Sequence, residues 1–117
     1  MILETIHDPR DIKALNDSQT QLLCTELREF LLKNVSKTGG HLASNLGAVE
    51  LTVAIHRVFD TSRDRLVFDV GQQCYTHKIL TGRREQFSSL RQYGGLSCFP
   101  KPRESGHDAF IAGHASN

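Results

Sequence analysis

The feature that most constrains this chain is the run at residues 45–59, Asn-Leu-Gly-Ala-Val-Glu-Leu-Thr-Val-Ala-Ile-His-Arg-Val-Phe. Leu46, Val49, Leu51, Val53, Ala54, Ile55 and Val58 spread around a helix, and only Glu50, Thr52, His56 and Arg57 interrupt them. A helix that is apolar on nearly every side has to be covered on several sides. The run therefore predicts one buried helix over 45–59, ending near Phe59. A chain of 117 residues is one domain at most, with a modest core. Such a helix then calls for covering partners beyond the elements this chain supplies. His56 is expected to satisfy a local hydrogen bond within the run.

Around that helix the pattern alternates. Asp11 to Leu15 reads as a short helical turn after Pro9, and Asp17 or Ser18 is placed to cap a longer helix reaching about Asn34. Leu23, Leu27, Phe30 and Leu31 fall at helical spacing, with Glu26, Arg28, Glu29 and Lys33 turned outward. Residues 60–64 form a polar turn. Residues 65–70, with Leu66, Val67 and Phe68 consecutive, fit a short parallel strand covered on both faces. Gly71 ends that strand, Tyr75 opens a helix through Leu80, Gly82 stops it, and Arg84 to Leu90 gives one more short helix. Ligands of open α/β sheets bind beyond the carboxyl ends of strands, which places residues 69–75 at a site edge. Residues 92–110 are rich in Gly, Pro and Ser without a periodic pattern, and are expected to form a functional or mobile loop.

Composition excludes more than it selects. Fourteen Lys and Arg against thirteen Asp and Glu give a formal net charge of +1. No polybasic field marks a nucleic-acid or membrane partner. No apolar run approaches the roughly 20 residues that span a bilayer. Residues 1–10 lack the apolar core of a signal peptide. The three cysteines, Cys24, Cys74 and Cys98, form no CxxC pair, so neither a disulfide framework nor a zinc site is indicated. These features favour a cytoplasmic protein with reduced thiols.

The richest local pattern is Ser36-Lys37-Thr38-Gly39-Gly40-His41-Leu42-Ala43-Ser44-Asn45-Leu46-Gly47. A histidine between a glycine pair and a helix start can give or take a proton near neutral pH. The glycines let a backbone or ligand come close, and a helix N-terminus favours anions. From spacing alone, His41 reads equally as a substrate or phosphate contact and as a loop histidine satisfying a carbonyl.

Beyond local chemistry, this segment and Asn45-Leu46-Gly47-Ala48-Val49-Glu50-Leu51-Thr52 resemble the opening of 1-deoxy-D-xylulose-5-phosphate synthase, a thiamine diphosphate-dependent family related to transketolase. The resemblance continues through Phe68-Asp69-Val70-Gly71 and His77-Lys78-Ile79-Leu80-Thr81-Gly82-Arg83-Arg84. It resumes at Leu90-Arg91-Gln92, Gly94-Gly95-Leu96-Ser97, Phe99-Pro100-Lys101, Glu104-Ser105 and Ala112-Gly113-His114-Ala115-Ser116. It covers nearly all of the chain from about residue 10, in family order and spacing.

The resemblance implies an α/β fold: an incomplete N-terminal part of a thiamine diphosphate-binding (pyrophosphate-binding) domain, helices plus a short parallel strand, with residues 1–117 as one incomplete domain. It implies a parent reaction in which the two carbons left from pyruvate after loss of CO2 join D-glyceraldehyde 3-phosphate, feeding isoprenoid, thiamine and pyridoxal biosynthesis, in a homodimer. Among site residues it implies His41 as the catalytic proton-transfer group, and Gln72, Gly113, His114 and Ala115 as cofactor contacts. Two of these depart from the family. Ala115 stands where the family has serine, and Gln72 stands where it has a histidine after Val-Gly. Glutamine hydrogen-bonds but does not titrate near neutrality. The Mg²⁺ that holds the pyrophosphate takes a Gly-Asp-Gly motif and a later asparagine in the family. Gly-Asp-Gly is absent here, so no residue of this chain is assigned as a metal ligand. The glutamate set against the cofactor's pyrimidine is expected from elsewhere, and Glu50 and Glu104 are not placed to replace it. The expectation is an N-terminal segment that is inactive alone. Its alternatives are a non-catalytic truncated paralogue, or one subunit of a split transketolase-like enzyme.

Overall fold

The computed structural model describes residues 1–38, 42–68, 73–90 and 94–109. The chain enters through a 3₁₀ turn, Leu3–Thr5, and a four-residue helix, α1, Arg10–Lys13. Asp11 accepts the backbone N–H groups of His7 (2.9 Å) and Asp8 (3.1 Å), which holds the approach to α1. Helix α2 then runs Asp17–Thr38, longer than the spacing predicts. Its cap is Asn16, in place of Asp17 or Ser18. The Asn16 carboxamide accepts Gln19 N–H at 2.8 Å, and the Gln19 carboxamide accepts Asn16 N–H at 2.9 Å. This is the reciprocal arrangement of a capping box.

Leu23, Leu27, Leu31 and Val35 recur every fourth residue along α2 and are fully buried. Phe30 meets Phe87 edge-on at 5.6 Å, and Phe87 meets Tyr75 in the same way at 5.8 Å. Glu26, expected outside, is buried. Its carboxylate accepts the N–H groups of Leu3 (2.8 Å) and Ile2 (3.2 Å), docking the N-terminus on α2.

The single helix expected over 45–59 is two. Helix α3 spans Leu42–Gly47 and α4 spans Val49–Val58. Ala48 leaves helical geometry (φ −102°, ψ 3°) directly after Gly47, a weak helix former. Burial on several sides is not observed for α4. Val49, Thr52, Val53 and His56 form one buried stripe, while Leu51 and Val58 are 66% and 71% exposed. Lys13 closes the C-terminal end of α4, donating to the carbonyls of His56 (2.7 Å) and Phe59 (3.0 Å), where a cation also suits the helix dipole.

The strand expected at residues 65–70 is not seen. Residues 65–68 are neither helix nor strand, 69 and 70 lie outside the described residues, and no strand occurs among the described residues. A strand exists through pairing with a neighbour, and an apolar triplet without one does not make a ladder. Helix α5, Tyr75–Lys78, widens into a π-type turn at Ile79–Arg83 and breaks at Gly82. Gly82 has φ +96°, and a Cβ there would lie 3.1 Å from the His7 carbonyl oxygen, so glycine is required on both counts. A 3₁₀ segment, Arg84–Ser89, follows. Residues 94–109 carry turns without helix or strand. No helix among the described residues is long and apolar enough to cross a membrane.

Candidate functional site

All four residues of α5 are buried: Tyr75, Thr76, His77 and Lys78. Burying a lysine is costly unless its charge is paired, and this one is. Lys78 Nζ donates to Glu104 Oε1 and to the Ser97 carbonyl, both at 2.6 Å. Glu104 also accepts Arg83 Nη1 (3.0 Å) and Ser97 N–H (2.7 Å). Arg83 then grips Asp108 with both prongs, Nη1 to Oδ2 at 2.7 Å and Nη2 to Oδ1 at 2.8 Å. This bidentate geometry is the strongest form of the pair. Asp108 accepts Lys101 N–H at 2.7 Å as well. Two buried cations therefore face two carboxylates, and the cluster is neutral. Burial alone would raise the Asp108 pKa, but the hydrogen bonds from Arg83, His77 and Lys101 outweigh it and hold the carboxyl well below its usual range. Burial likewise opposes the Arg83 charge, and Asp108 and Glu104 more than restore it.

A histidine chain extends this cluster to α4. His77 Nε2 lies 2.9 Å from Asp108 Oδ1 and 3.1 Å from the His107 carbonyl oxygen. Both neighbours only accept, so Nε2 carries the proton and Nδ1 is left with its lone pair. His77 Nδ1 lies 2.9 Å from His56 Nε2, so His56 is the donor there. His56 Nδ1 is then an acceptor, buried and without a hydrogen-bond partner among the described residues. The bond is not local as expected for His56, because it reaches 21 residues along the chain. Burial, reinforced by the neighbouring His77, lowers the His56 pKa to about 3. Burial lowers that of His77 too, against the pull of Asp108. Both rings are neutral at pH 7. Beside them, Thr61 Oγ1 pairs with His107 Nδ1 at 2.7 Å.

His41, Gln72, Gly113, His114 and Ala115 lie outside the described residues. The described residues beside them are anchored to one place. Asn45, fully buried in α3, accepts Tyr75 N–H at 2.9 Å and so ties α3 to the start of α5. His77 and Arg83 tie residues 94–109 to the same helix through Asp108. The described segments that follow His41, follow Gln72 and precede Gly113 thus converge on α5. Sequence reasoning gave no role to Lys78, Arg83, Asp108 or the His56–His77 pair. The available signal was a histidine and a lysine leading into the apolar Ile79-Leu80, with acids at Glu104 and Asp108 to meet them.

Of the two glutamates weighed above, Glu50 is exposed and paired with Arg28, and Glu104 is engaged by Lys78 and Arg83. Among the described residues, no group of three His, Cys, Asp or Glu side chains is placed to hold a metal ion. Cys24, Cys74 and Cys98 are free thiols, and burial pushes Cys74 up to about 12.

Residues 3–117 match the family model described as 1-deoxy-D-xylulose-5-phosphate synthase. The chain is 60% identical over 115 residues to the protein of that name from Dechloromonas aromatica, covering 98% of this chain and 19% of the relative. It is 61% identical to the Acidovorax ebreus protein of the same name (98% and 18%) and 57% identical over 116 residues to that of Brevibacillus brevis (99% and 18%). The chain spans less than a fifth of the length of these relatives, and the matched stretch is their N-terminal part.

Proposed function

The chain belongs to the 1-deoxy-D-xylulose-5-phosphate synthase family, and from that premise we propose that it supplies one wall of a thiamine diphosphate site in a transferase of that type. The reaction proposed joins the two-carbon unit of pyruvate, after loss of CO2, to D-glyceraldehyde 3-phosphate, in a cytoplasmic homodimer serving isoprenoid, thiamine and pyridoxal biosynthesis. The observation that carries this reading is the match, about 60% identical along 98% of the chain. Residues 1–117 are proposed as one incomplete unit of an α/β pyrophosphate-binding domain.

His41 is proposed to move protons at the reacting carbons. Gln72 would hydrogen-bond the cofactor, and Gly113, His114 and Ala115 would contribute further contacts to it. When bound, thiamine diphosphate supplies the electron sink for carbon–carbon bond chemistry. Mg²⁺ favours oxygen ligands, and because the sequence lacks a Gly-Asp-Gly motif we propose that its ligands come from outside this chain. The charge-neutral cluster around α5 fits a supporting role. It fixes residues 94–109, which precede Gly113, on α5 without presenting a free charge to a ligand.

Two measurements test the reading. In a full-length enzyme carrying this segment, His41→Ala is expected to lower kcat by roughly 10²–10⁴-fold, far more than it weakens cofactor binding. An unchanged kcat would return His41 to a structural role. The 117-residue chain alone is expected to be inactive and to bind thiamine diphosphate very weakly. Calorimetry that finds micromolar, Mg²⁺-dependent binding to it would overturn the assignment of the metal ligands.

A further inference from the structure

Two of the three cysteines meet in the fold although 24 positions separate them. Cys74, the residue before α5, is fully buried, and its thiol donates to the Cys98 carbonyl oxygen at 3.7 Å. Cys98 is half-buried and packs against the same apolar core. The approach is held from the next residue. Ser97 accepts Lys78 Nζ on its carbonyl at 2.6 Å and donates its N–H to Glu104 at 2.7 Å, and Lys78 lies one turn along α5 from Cys74. A carbonyl oxygen sits about 2.4 Å from its own Cα, so the Cys74 sulfur is within about 6 Å of the Cys98 Cα. Bridged cysteines have Cα atoms about 4.4–6.8 Å apart. A rotation at Cys98 and a small shift of a segment without helix or strand close the remaining gap.

The two thiols differ in access. Cys98 keeps part of its surface in solvent and Cys74 keeps none. An oxidant from solution therefore meets Cys98 first. Burial pushes the Cys74 pKa up to about 12, which leaves this thiol inert toward solution reagents. An accessible thiol beside a second one is the arrangement in which a first oxidation is captured as an internal disulfide.

We propose that Cys98 and Cys74 form a reversible redox modification site, which a low-molecular-weight disulfide converts to a Cys74–Cys98 disulfide. The Cys98 sulfur attacks the reagent disulfide, forming a mixed disulfide and releasing one thiol. The Cys74 sulfur then attacks the Cys98 sulfur, and the second reagent thiol departs with the Cys74 proton. Two protein thiols are oxidised, and one reagent disulfide is reduced to two thiols. The new bond fastens residues 94–109 to the start of α5, and excess reducing thiol reverses it. The site does not rest on the proposed cofactor contacts.

The test treats the reduced 117-residue chain with glutathione disulfide and reads intact mass and a non-reducing peptide map. The expected product is two hydrogens lighter, carries a Cys74–Cys98 link and a residual thiol at Cys24, and returns to the starting mass with dithiothreitol. Cys74→Ser should stop at a glutathione adduct on Cys98, and Cys98→Ser should leave Cys74 unmodified. In denaturing urea the preference for this pair should be lost, because the folded contact selects it. The link should raise the urea midpoint by roughly 1 M or more. A wild-type chain that does not react, stops at the Cys98 adduct or links through Cys24 would overturn the proposal. Modification of Cys74 in Cys98→Ser would overturn Cys98 as the point of entry, and an unchanged midpoint would overturn the fastening of residues 94–109.

Discussion

His56→Gln isolates the acid sensitivity built into the α4–α5 contact. His56 is fully buried, donates through Nε2 to His77, and has a pKa lowered from 6.5 to about 3. In the unfolded chain it protonates near 6.5, while in the folded chain it stays neutral to about 3. Between those values the unfolded state binds more protons, so stability is full above pH 6.5 and is lost as the pH falls. Each pH unit costs 1.36 kcal/mol per group. From pH 6.5 to 4.5 the loss assigned to His56 is therefore roughly 2.7 kcal/mol, a large part of a typical 5–15 kcal/mol. Stopping at pH 4.5 keeps most carboxylate titration out. Glutamine offers an N–H to the same His77 acceptor and does not titrate. Urea unfolding at several pH values is the assay. The His56 share should lower the wild-type midpoint by roughly 1–2 M between pH 7.5 and 4.5, given ordinary m-values. The variant should lose that share of the drop and keep the rest, because His77, whose pKa burial also lowers, still contributes. If His56→Gln loses as much stability as the wild type over that range, the buried neutral histidine is not the source.

Asp108→Ala should cost about 3–5 kcal/mol in the same assay, the range for stranding a buried charge, and adding Arg83→Met should recover part of it. Additive losses from the two substitutions would show that the pair is not coupled. Gly82→Ala places a Cβ at φ +96° and 3.1 Å from the His7 carbonyl. A loss of about 1–3 kcal/mol is expected, and an unchanged thermal midpoint would contradict the required glycine. In a full-length enzyme carrying this segment, Gln72→His is expected to raise kcat and alter its pH profile, because only histidine titrates near neutrality. A neutral effect would mean that the amide already provides the needed hydrogen bond.

Helix α2 was legible because one physical rule governs it. Leu23, Leu27 and Leu31 repeat at the helical period and are fully buried. Its cap was misplaced by one or two residues although Asn16 and Gln19 stood at capping-box spacing, since Asp17 and Ser18 are equally good local candidates. The division of α3 from α4 was not legible from apolar count. Counting says how much of a helix prefers cover, whereas the neighbours decide which side receives it, and here Leu51 and Val58 receive none among the described residues. The strand at residues 65–70 failed for a related reason. An apolar triplet is compatible with a strand, but a ladder requires a second segment that the triplet does not encode.

The cluster around α5 was hidden by a different property. A lysine or arginine in isolation is solvated far more often than buried, so nothing in the local pattern singles out Lys78 or Arg83 for burial. What reverses that reading is the arrival of Glu104 and Asp108 from 26 and 25 positions away, on a stretch that has neither helix nor strand to announce it. Periodicity records which face a residue prefers within its own element, and it carries no record of pairings across elements. The same pairings explain why residues 94–109 hold a defined path without regular structure. Lys101 N–H and Ser97 N–H satisfy carboxylates that α5 and Arg83 have already fixed, so this stretch is held by charge where α2 is held by burial. Strip Asp108 of its charge and the loss should therefore appear first at residues 94–109 and only later in α2, an order that hydrogen exchange on Asp108→Asn would resolve. Uniform loss of protection through both would mean instead that the cluster and the apolar core fold as one unit.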